Sequence, residues 1–398
     1  MSGICGYIGI KRFAAETDII HRMCQSIIHR GPDEEGIWLG EGIAIGIRRL
    51  KIIDLVTGSQ PIFNEDKSIA IVFNGEIYNF HSLKKILQEK GHRFYTRTDT
   101  ETVVHSYEEW GEDFVQHFNG AFAFSIWDAK KEKLILVRDR IGEKPLYYTQ
   151  LPDGGLIWGS EIKAIFEHPS APIPEPDFTS IHHYLSLQYV PDPWSAFKNI
   201  RKLPPASILV FEKGATKIHR YWDLAFVPKH KESEQELSNE LLERLQTAVN
   251  CRLMGDVPLG VFLSGGIDSS IITALVARRC NEKIKTFSIG FEEDTFSELP
   301  FARAVAQHYD TEHHEFIVRY EAADIMPRII EHCDEPFADS SALPTFYLSH
   351  MTRKYVTVAL NGDGGDETHA GYQRYYLDSF IRLFELMPKF IRKGLYNL

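Results

Sequence analysis

The chain has 398 residues, 43% hydrophobic and 25% charged, with a formal net charge of −11. At roughly 150 residues per domain this length supports two or three domains with cores of their own, and the composition excludes a disordered or collagen-like chain. The negative charge removes the basic footprint of a nucleic-acid binder, and no apolar run reaches the ~20 residues of a membrane span, so a cytoplasmic protein with small polar partners is expected.

Met1-Ser2-Gly3-Ile4-Cys5 lacks the basic start and long apolar stretch of a signal peptide. The five cysteines are scattered with no Cys-x-x-Cys pair, which predicts reduced thiols rather than a disulfide framework or structural zinc. Cys5 reads as a buried structural thiol. His182-His183 and His313-His314 are adjacent pairs, whose side chains point to opposite faces of a strand, so no metal-ligand constellation stands out.

Along the first half, a helix is predicted from about 15 to 28, then strands at 43–47, 69–73, 121–127 and 133–137, with a second helix over 100–110. Prolines at 169, 172, 174, 176, 204 and 205 mark irregular chain, and a domain boundary is expected near 219–232. Beyond it the pattern alternates: helix 233–253, strand 261–263, helix 268–280, strand 286–289, helix 300–308, strand 314–318, helix 322–332 and strand 355–360. Ser233 followed three residues on by Glu236 has capping-box spacing. Strands separated by helices of this length signal a parallel sheet covered on both faces.

The motif of highest content is Val261-Phe262-Leu263-Ser264-Gly265-Gly266-Ile267-Asp268-Ser269-Ser270, a buried strand entering a glycine- and hydroxyl-rich turn that opens a helix. Backbone N–H groups of such a turn point at an anion, and the helix N-terminus adds positive potential. A carboxylate at Asp268 would repel phosphates unless Mg²⁺ bridged them, which makes Asp268 the candidate metal ligand. The plain alternative makes Asp268 and Ser269 helix caps. A second acidic turn, Asn361-Gly362-Asp363-Gly364-Gly365-Asp366-Glu367, follows a later strand. Loops that end parallel strands face one crevice, so both turns are expected at one nucleotide. In the first half, Asn74-Gly75-Glu76 follows a strand; alone, Asn-Gly signals a hairpin turn.

The Ser-Gly-Gly-x-Asp-Ser string resembles the pyrophosphate loop of ATP pyrophosphatases. Asn74-Gly75-Glu76-Ile77-Tyr78-Asn79, together with His29–Asp33, Arg49-Leu50, Thr98-Asp99, Phe122–Phe124, Arg138–Gly142 and Ser160–Lys163, resembles the class II glutamine amidotransferase domain. Both sets in this order resemble the asparagine synthetase family. That resemblance implies an α+β N-terminal-nucleophile sandwich of two antiparallel sheets flanked by helices over 2–218, followed by an α/β parallel-sheet domain over 232–398. It implies ATP-driven amidation of a small carboxylate, aspartate favoured, through a β-aspartyl adenylate with ammonia from glutamine, and a homodimer as the assembly to test.

By the same resemblance Arg49, assisted by backbone near Ile53, would hold the glutamine α-carboxylate, and Glu76 and Asp99 its α-ammonium. Asn74 and Gly75 would form the oxyanion hole. Leu263, Ser264, Gly265, Gly266, Asp268, Ser269, Ile289, Asn361 and Gly362 match ATP-contacting positions, and Asp363 matches an acidic residue tied to adenylate formation. Ser2 stands where the family has its nucleophilic cysteine. A hydroxyl is far less ionised than a thiol at neutral pH, so Ser2 reads as a substitution that traps glutamine, as a loss that leaves ammonia as the nitrogen donor, or as a serine nucleophile in use. Family members continue beyond the region matching Leu398, so the chain is expected to be truncated. The alternatives are a related amide ligase acting on another carboxylate, such as a sugar acid or a β-amino acid, selected by residues near Asp334–Ser341, or a silent glutamine or nucleotide sensor.

Overall fold

Residues Gly3–Ile8 alternate Ile4 and Ile8 on one side with Cys5 and Tyr7 on the other, and a strand apolar on both sides needs cover on both. The computed structural model, which describes residues 1–9, 16–291, 297–318, 322–389 and 392, supplies that cover. In chain order the strands and helices of the first half are β1 (Gly3–Ile8), α1 (Thr17–Ser26), β2 (Glu34–Gly40), β3 (Ile43–Arg49), β4 (Ile62–Phe63), β5 (Ile69–Ile77), α2 (Phe80–Glu89), α3 (Asp99–Trp110), β6 (Gly120–Asp128), β7 (Lys133–Arg138), β8 (Tyr147–Gln150), β9 (Leu156–Gly159), α4 (Ile162–Phe166), α5 (Phe178–Leu187), β10 (Arg201–Lys202), β11 (Ser207–Glu212) and β12 (Ala215–Arg220). They are followed by α6 (Glu234–Arg252), β13 (Leu259–Phe262), α7 (Ile267–Arg279), β14 (Lys285–Phe291), α8 (Leu299–His308), β15 (Glu312–Val318), α9 (Ala322–Cys333), α10 (Ala342–Thr352), β16 (Val358–Leu360), α11 (Gly365–His369) and α12 (Gln373–Glu385).

Two antiparallel sheets, ordered β10-β8-β9-β1-β3-β2 and β12-β11-β7-β6-β5-β4, make the first half. Ile4, Ile45 and Ile47 of one sheet pack against Val72, Ala123 and Leu136 of the other in one buried cluster. The opposite faces take helices. Cys5 and Tyr7 meet Ile20, Met23 and Ile165 of α1 and α4, while Phe73 and Phe124 meet Phe80, Leu83, Val103 and Tyr107 of α2 and α3. Each such fully buried aliphatic or aromatic side chain contributes about 1.5–3 kcal/mol. The result is the expected four-layer sandwich. The third sheet, β15-β14-β13-β16, is parallel throughout, also as expected.

Several boundaries differ from expectation. Asn74-Gly75 forms no hairpin turn: β5 runs through both to Ile77, paired with β6 over its whole length. The strand expected at 355–360 shortens to Val358–Leu360, because the Tyr355 N–H closes a turn onto the Thr352 carbonyl. The helix expected to begin near 15 starts at Thr17, residue 15 lying outside the described residues. Helices α2 and α5 stand where no helix was expected.

The chain divides into two compact units, one of Met1–Val257 with Glu321–Phe346 and the other of Pro258–Tyr320 with Tyr347–Leu398. The irregular stretch near 221–232 is present, but the first unit continues past it through α6. There Arg252 lies 4.5 Å over the Tyr78 ring, and the Asp54 N–H donates to the Asp256 carboxylate at 2.9 Å. Asp334 and Glu335 also join this unit, through Lys163 Nζ (2.8 Å) and Lys202 Nζ (2.5 Å) respectively. Both carboxylates are thus engaged with lysines. Among the described residues no helix is long and apolar enough to cross a membrane.

Candidate functional site

In the first unit the site is organised by the β1–β3 pairing, whose register sets Gly3 opposite Arg48 and so brings Ser2 beside Arg49-Leu50. The Leu50 N–H donates to Ser2 Oγ at 3.1 Å, and Arg30 Nε donates to the Ser2 carbonyl at 3.0 Å. Arg30 is itself held by Glu161, at 2.9 Å. Burial works against ionisation of Glu161, but His29, Arg30 and Lys163 outweigh it and lower its pKa to about 2. The residue at the head of the chain is therefore clamped by one backbone donor and one guanidinium.

Arg49 is 4% exposed and spends three N–H groups on Glu34 Oε2, the Ile53 carbonyl and the Asp54 carbonyl. Its fork has five, so Nε–H and one Nη1–H remain for a ligand. Ile53 thus anchors the guanidinium through its carbonyl.

Asn74, 1% exposed, has neither its Nδ2 nor its Oδ1 hydrogen-bonded. Buried amides are nearly always satisfied, and an orphan of this kind is held ready for something that binds. Gly75 beside it has φ +147°, and a Cβ there would come within 2.1 Å of the Ala121 carbonyl oxygen. Only glycine fits between β5 and β6 at this point.

Glu76 and Asp99 form a buried acid pair. Asp99 begins α3, capped by Thr98, whose side chain accepts from the Glu101 N–H; Asp99 Oδ2 accepts the Ile77 N–H at 2.8 Å. Burial first, and then the Asp99 charge, pushes the Glu76 carboxyl well above its ordinary pKa. Burial likewise raises Asp99 to about 6, against backbone hydrogen bonds that favour its charge. Arg49 and Lys144 are the cations that face the pair. Lys144 lies in the loop wound around Asp139, whose carboxylate accepts the N–H groups of Ile141, Gly142, Glu143 and Lys144. Desolvation lowers its ammonium pKa. Two buried carboxyls side by side, with Glu76 Oε2 lacking a hydrogen bond, are the complement of an ammonium ligand.

Cys5 is fully buried, with its Sγ 3.6 Å from that of Cys24. Burial raises its thiol pKa further, so it is an inert core residue as expected.

In the second unit β13 runs into the Leu263–Gly266 turn at the N-terminus of the 13-residue helix α7. Ser264 and Ser269 tie the turn together, their hydroxyl oxygens 2.9 Å apart, with the Gly266 N–H on Ser264 Oγ at 3.2 Å. Gly265 has φ +86°, and a Cβ would lie 2.5 Å from the Ala302 nitrogen. Leu263 is buried and donates to the Phe287 carbonyl at 2.9 Å, next to the β14 segment that carries Ile289.

β16 lies beside β13 although a long stretch of chain separates them, so the strand order reverses between them. Open parallel sheets bind ligands at such a reversal. The loop after β16 closes on Asp268: a Cβ on Gly365 would lie 2.5 Å from Asp268 Oδ2, and one on Gly362 2.9 Å from Asp268 Cβ. Asn361 Nδ2 donates to Asp363 Oδ2 at 2.6 Å, at the exposed rim. The structure thus brings Ser264, Gly265, Gly266, Asp268, Ser269, Asn361, Gly362 and Asp363 to one strand edge. Hydroxyls, close-approach glycines, a helix N-terminus and the Asp268 carboxylate fit a metal-bound phosphate chain. Arg30, Leu50, Lys144 and Glu161 were not expected as site residues, although Arg30, Leu50 and Glu161 lie inside motifs that were.

The family described as glutamine amidotransferase domain matches residues 1–222, and that described as asparagine synthase matches residues 240–397. A Bacillus subtilis protein described as asparagine synthetase 1 (glutamine-hydrolyzing) is 36% identical over 403 residues, covering 99% of this chain and 63% of its own length. A Methanocaldococcus jannaschii protein described as putative asparagine synthetase 2 (glutamine-hydrolyzing) is 37% identical over 421 residues, covering 98% of this chain and 79% of its own. The chain therefore spans under two thirds of the Bacillus relative and about four fifths of the archaeal one.

Proposed function

This chain belongs to the glutamine-hydrolysing asparagine synthetase family, and we propose that it takes nitrogen from glutamine and uses ATP to amidate a small carboxylic acid, aspartate favoured. The observation that carries this reading is the buried Glu76–Asp99 pair beside the half-free Arg49 fork, a site shaped for the two charged ends of an α-amino acid. Arg49 holds the carboxylate, and the acid pair holds the ammonium.

With Met1 removed, the Ser2 α-amine takes the Oγ proton as the oxygen attacks the glutamine side-chain carbonyl. The Leu50 N–H at Ser2 Oγ stabilises charge building there. Asn74 Nδ2 and the Gly75 N–H hold the oxyanion, which requires no reorganisation because the amide is already buried and unpaired. Collapse breaks the C–N bond, ammonia leaves, and water hydrolyses the Ser2 ester to glutamate.

In the second unit, ATP would transfer its adenylyl group to the acid with release of pyrophosphate, and Mg²⁺ would supply charge to screen the phosphates. The Ser264–Ser269 turn would hold the phosphates, Asp268 would bind the metal, and Asp363 would serve adenylate formation. Ser2 in place of a thiol favours a second reading, in which glutamine binds with little turnover and free ammonia is the donor.

The test is pyrophosphate and amide formation by the chain with ATP-Mg²⁺ and a panel of acids, supplied with glutamine or ammonia. Aspartate-dependent pyrophosphate release supports the assignment. Binding of glutamine and ATP without pyrophosphate release from any acid would replace the enzyme reading by a sensor.

A further inference from the structure

Four side chains from three separate stretches converge two turns along α3 from Asp99. Glu65 comes from the turn between β4 and β5, His92 from the chain leaving α2, and His105 and Glu108 from α3 one turn apart. One ligand atom of each lies within 4.8 Å of every other. His105 Nδ1 is 3.0 Å from Glu108 Oε2 and 3.7 Å from Glu65 Oε2, and His92 Nδ1 is 3.7 Å from Glu108 Oε2. A tetrahedral ion with bonds of about 2.0–2.1 Å has ligand-to-ligand edges of about 3.3–3.4 Å, in the middle of these separations.

Every one of the four is held from behind. Glu65 Oε1 accepts the Arg93 N–H at 2.9 Å, and Glu108 Oε1 accepts from Asn64 Nδ2 at 2.7 Å, so each carboxylate is anchored by one oxygen and turns the other to the centre. His92 Nε2 is 3.4 Å from Glu109 Oε2. His105 is fully buried, with Nε2 lacking a hydrogen bond and facing Glu101 Oε1 at 3.7 Å. Glu101 is fixed in turn by the N–H groups of Tyr95 and Thr96 and by the Thr96 hydroxyl. Carboxylate behind imidazole in front of a metal is the usual outer-shell arrangement of a ligating histidine.

We infer that Glu65, His92, His105 and Glu108 form a four-ligand site for a zinc-class divalent cation, tying the β4–β5 turn and the exit of α2 to α3. Two imidazoles with two carboxylates select zinc-like ions over the all-oxygen preference of magnesium and calcium. Four protein ligands leave no open position, so the ion is structural. The electrostatics ask for a cation. Three carboxylates, of Glu65, Glu101 and Glu108, face the one His105 imidazole at 3.7, 3.7 and 3.0 Å.

The experiment strips the full chain with a chelator and titrates it with Co²⁺, followed by Zn²⁺. One equivalent of Co²⁺ should develop the intense visible bands of a tetrahedral site, Zn²⁺ should bleach them, and Zn²⁺ should raise the melting temperature. His92→Ala and Glu65→Gln change side chains at the rim rather than in the core, so both should fold, as melting in chelator will verify. Each should weaken Co²⁺ binding at least tenfold. No saturable binding, a weak octahedral spectrum, or binding in both variants equal to that of the parent chain would overturn the site.

Discussion

Replacing Asp99 by asparagine removes one carboxyl of the buried pair while leaving an oxygen to accept the Ile77 N–H. In the ligand-free protein Asp99 titrates at about 6 against an ordinary value of 3.8. Between those values the folded chain binds more protons than the unfolded one, so stability falls as pH rises. What the protonated carboxyl contributes is complete below pH ~4 and lost as the pH rises through about 6. The difference of about 2 pH units, at ~1.36 kcal/mol each, is about 3 kcal/mol, or about 6–12 °C of melting temperature for a unit of this size. Arg49 and Lys144, which also face the pair, are present in both proteins. The melting temperature of Asp99→Asn relative to the parent chain should therefore rise by that amount between about pH 4 and pH 8. Glutamine reverses the sign: its ammonium supplies the missing charge, so binding to the parent chain should release a proton near pH 6. Its loss in the variant should cost about 1.5–3 kcal/mol of affinity. Thermal melts across pH and calorimetry in buffers of different ionisation heat read both effects. Parallel melting profiles for the two proteins, or undiminished glutamine affinity in Asp99→Asn, would refute the reasoning.

Ser2→Cys should raise glutamate release from glutamine by orders of magnitude, with mass spectrometry verifying Met1 removal in both proteins; comparable turnover in the parent chain would make serine a working nucleophile. In the Ser2→Cys background, Asn74→Ala should lower turnover by about 10²–10³ while leaving glutamine affinity nearly unchanged, as expected for an oxyanion donor. Its melting temperature should not fall by much, because no hydrogen bond of Asn74 is lost. Gly265→Ala should abolish ATP binding in calorimetry, since its Cβ meets the Ala302 nitrogen at 2.5 Å and its φ is +86°. Asp268→Asn should weaken ATP chiefly when Mg²⁺ is present, and equal affinity with Mg²⁺ would remove Asp268 from the metal.

Much of the fold is legible in short stretches. Short apolar runs bounded by Gly, Asn or Asp mark β3, β5, β6 and β7 within a few residues of where they lie, because strands covered on both faces read as continuous apolar stretches. The Ser233–Glu236 capping box forms as its spacing implies. α2 was legible too: Phe80, Leu83 and Leu87 recur at helical spacing and are all buried. The Asn74-Gly75 dipeptide misleads when read alone, since its local preference for a turn is overridden by nine ladder pairs with β6.

The sequence by itself determined the family, the two motif sets and the residue types each site would need, since these depend on neighbours within a few positions along the chain. Tertiary structure alone decided which distant groups share a space. Glu76 and Asp99 become a buried acid pair only because α3 begins under the end of β5. Glu65, His92, His105 and Glu108 show no ligand spacing in the sequence, yet three stretches close on one point. Nothing along the chain pairs Asp334 with Lys163 or Glu335 with Lys202; the fold brings each pair to salt-bridge distance. The physical reason is the same in each case: local conformation follows from short-range sterics and hydrogen bonds, whereas a buried group's charge and pKa are set by whatever the packing of apolar faces brings against it.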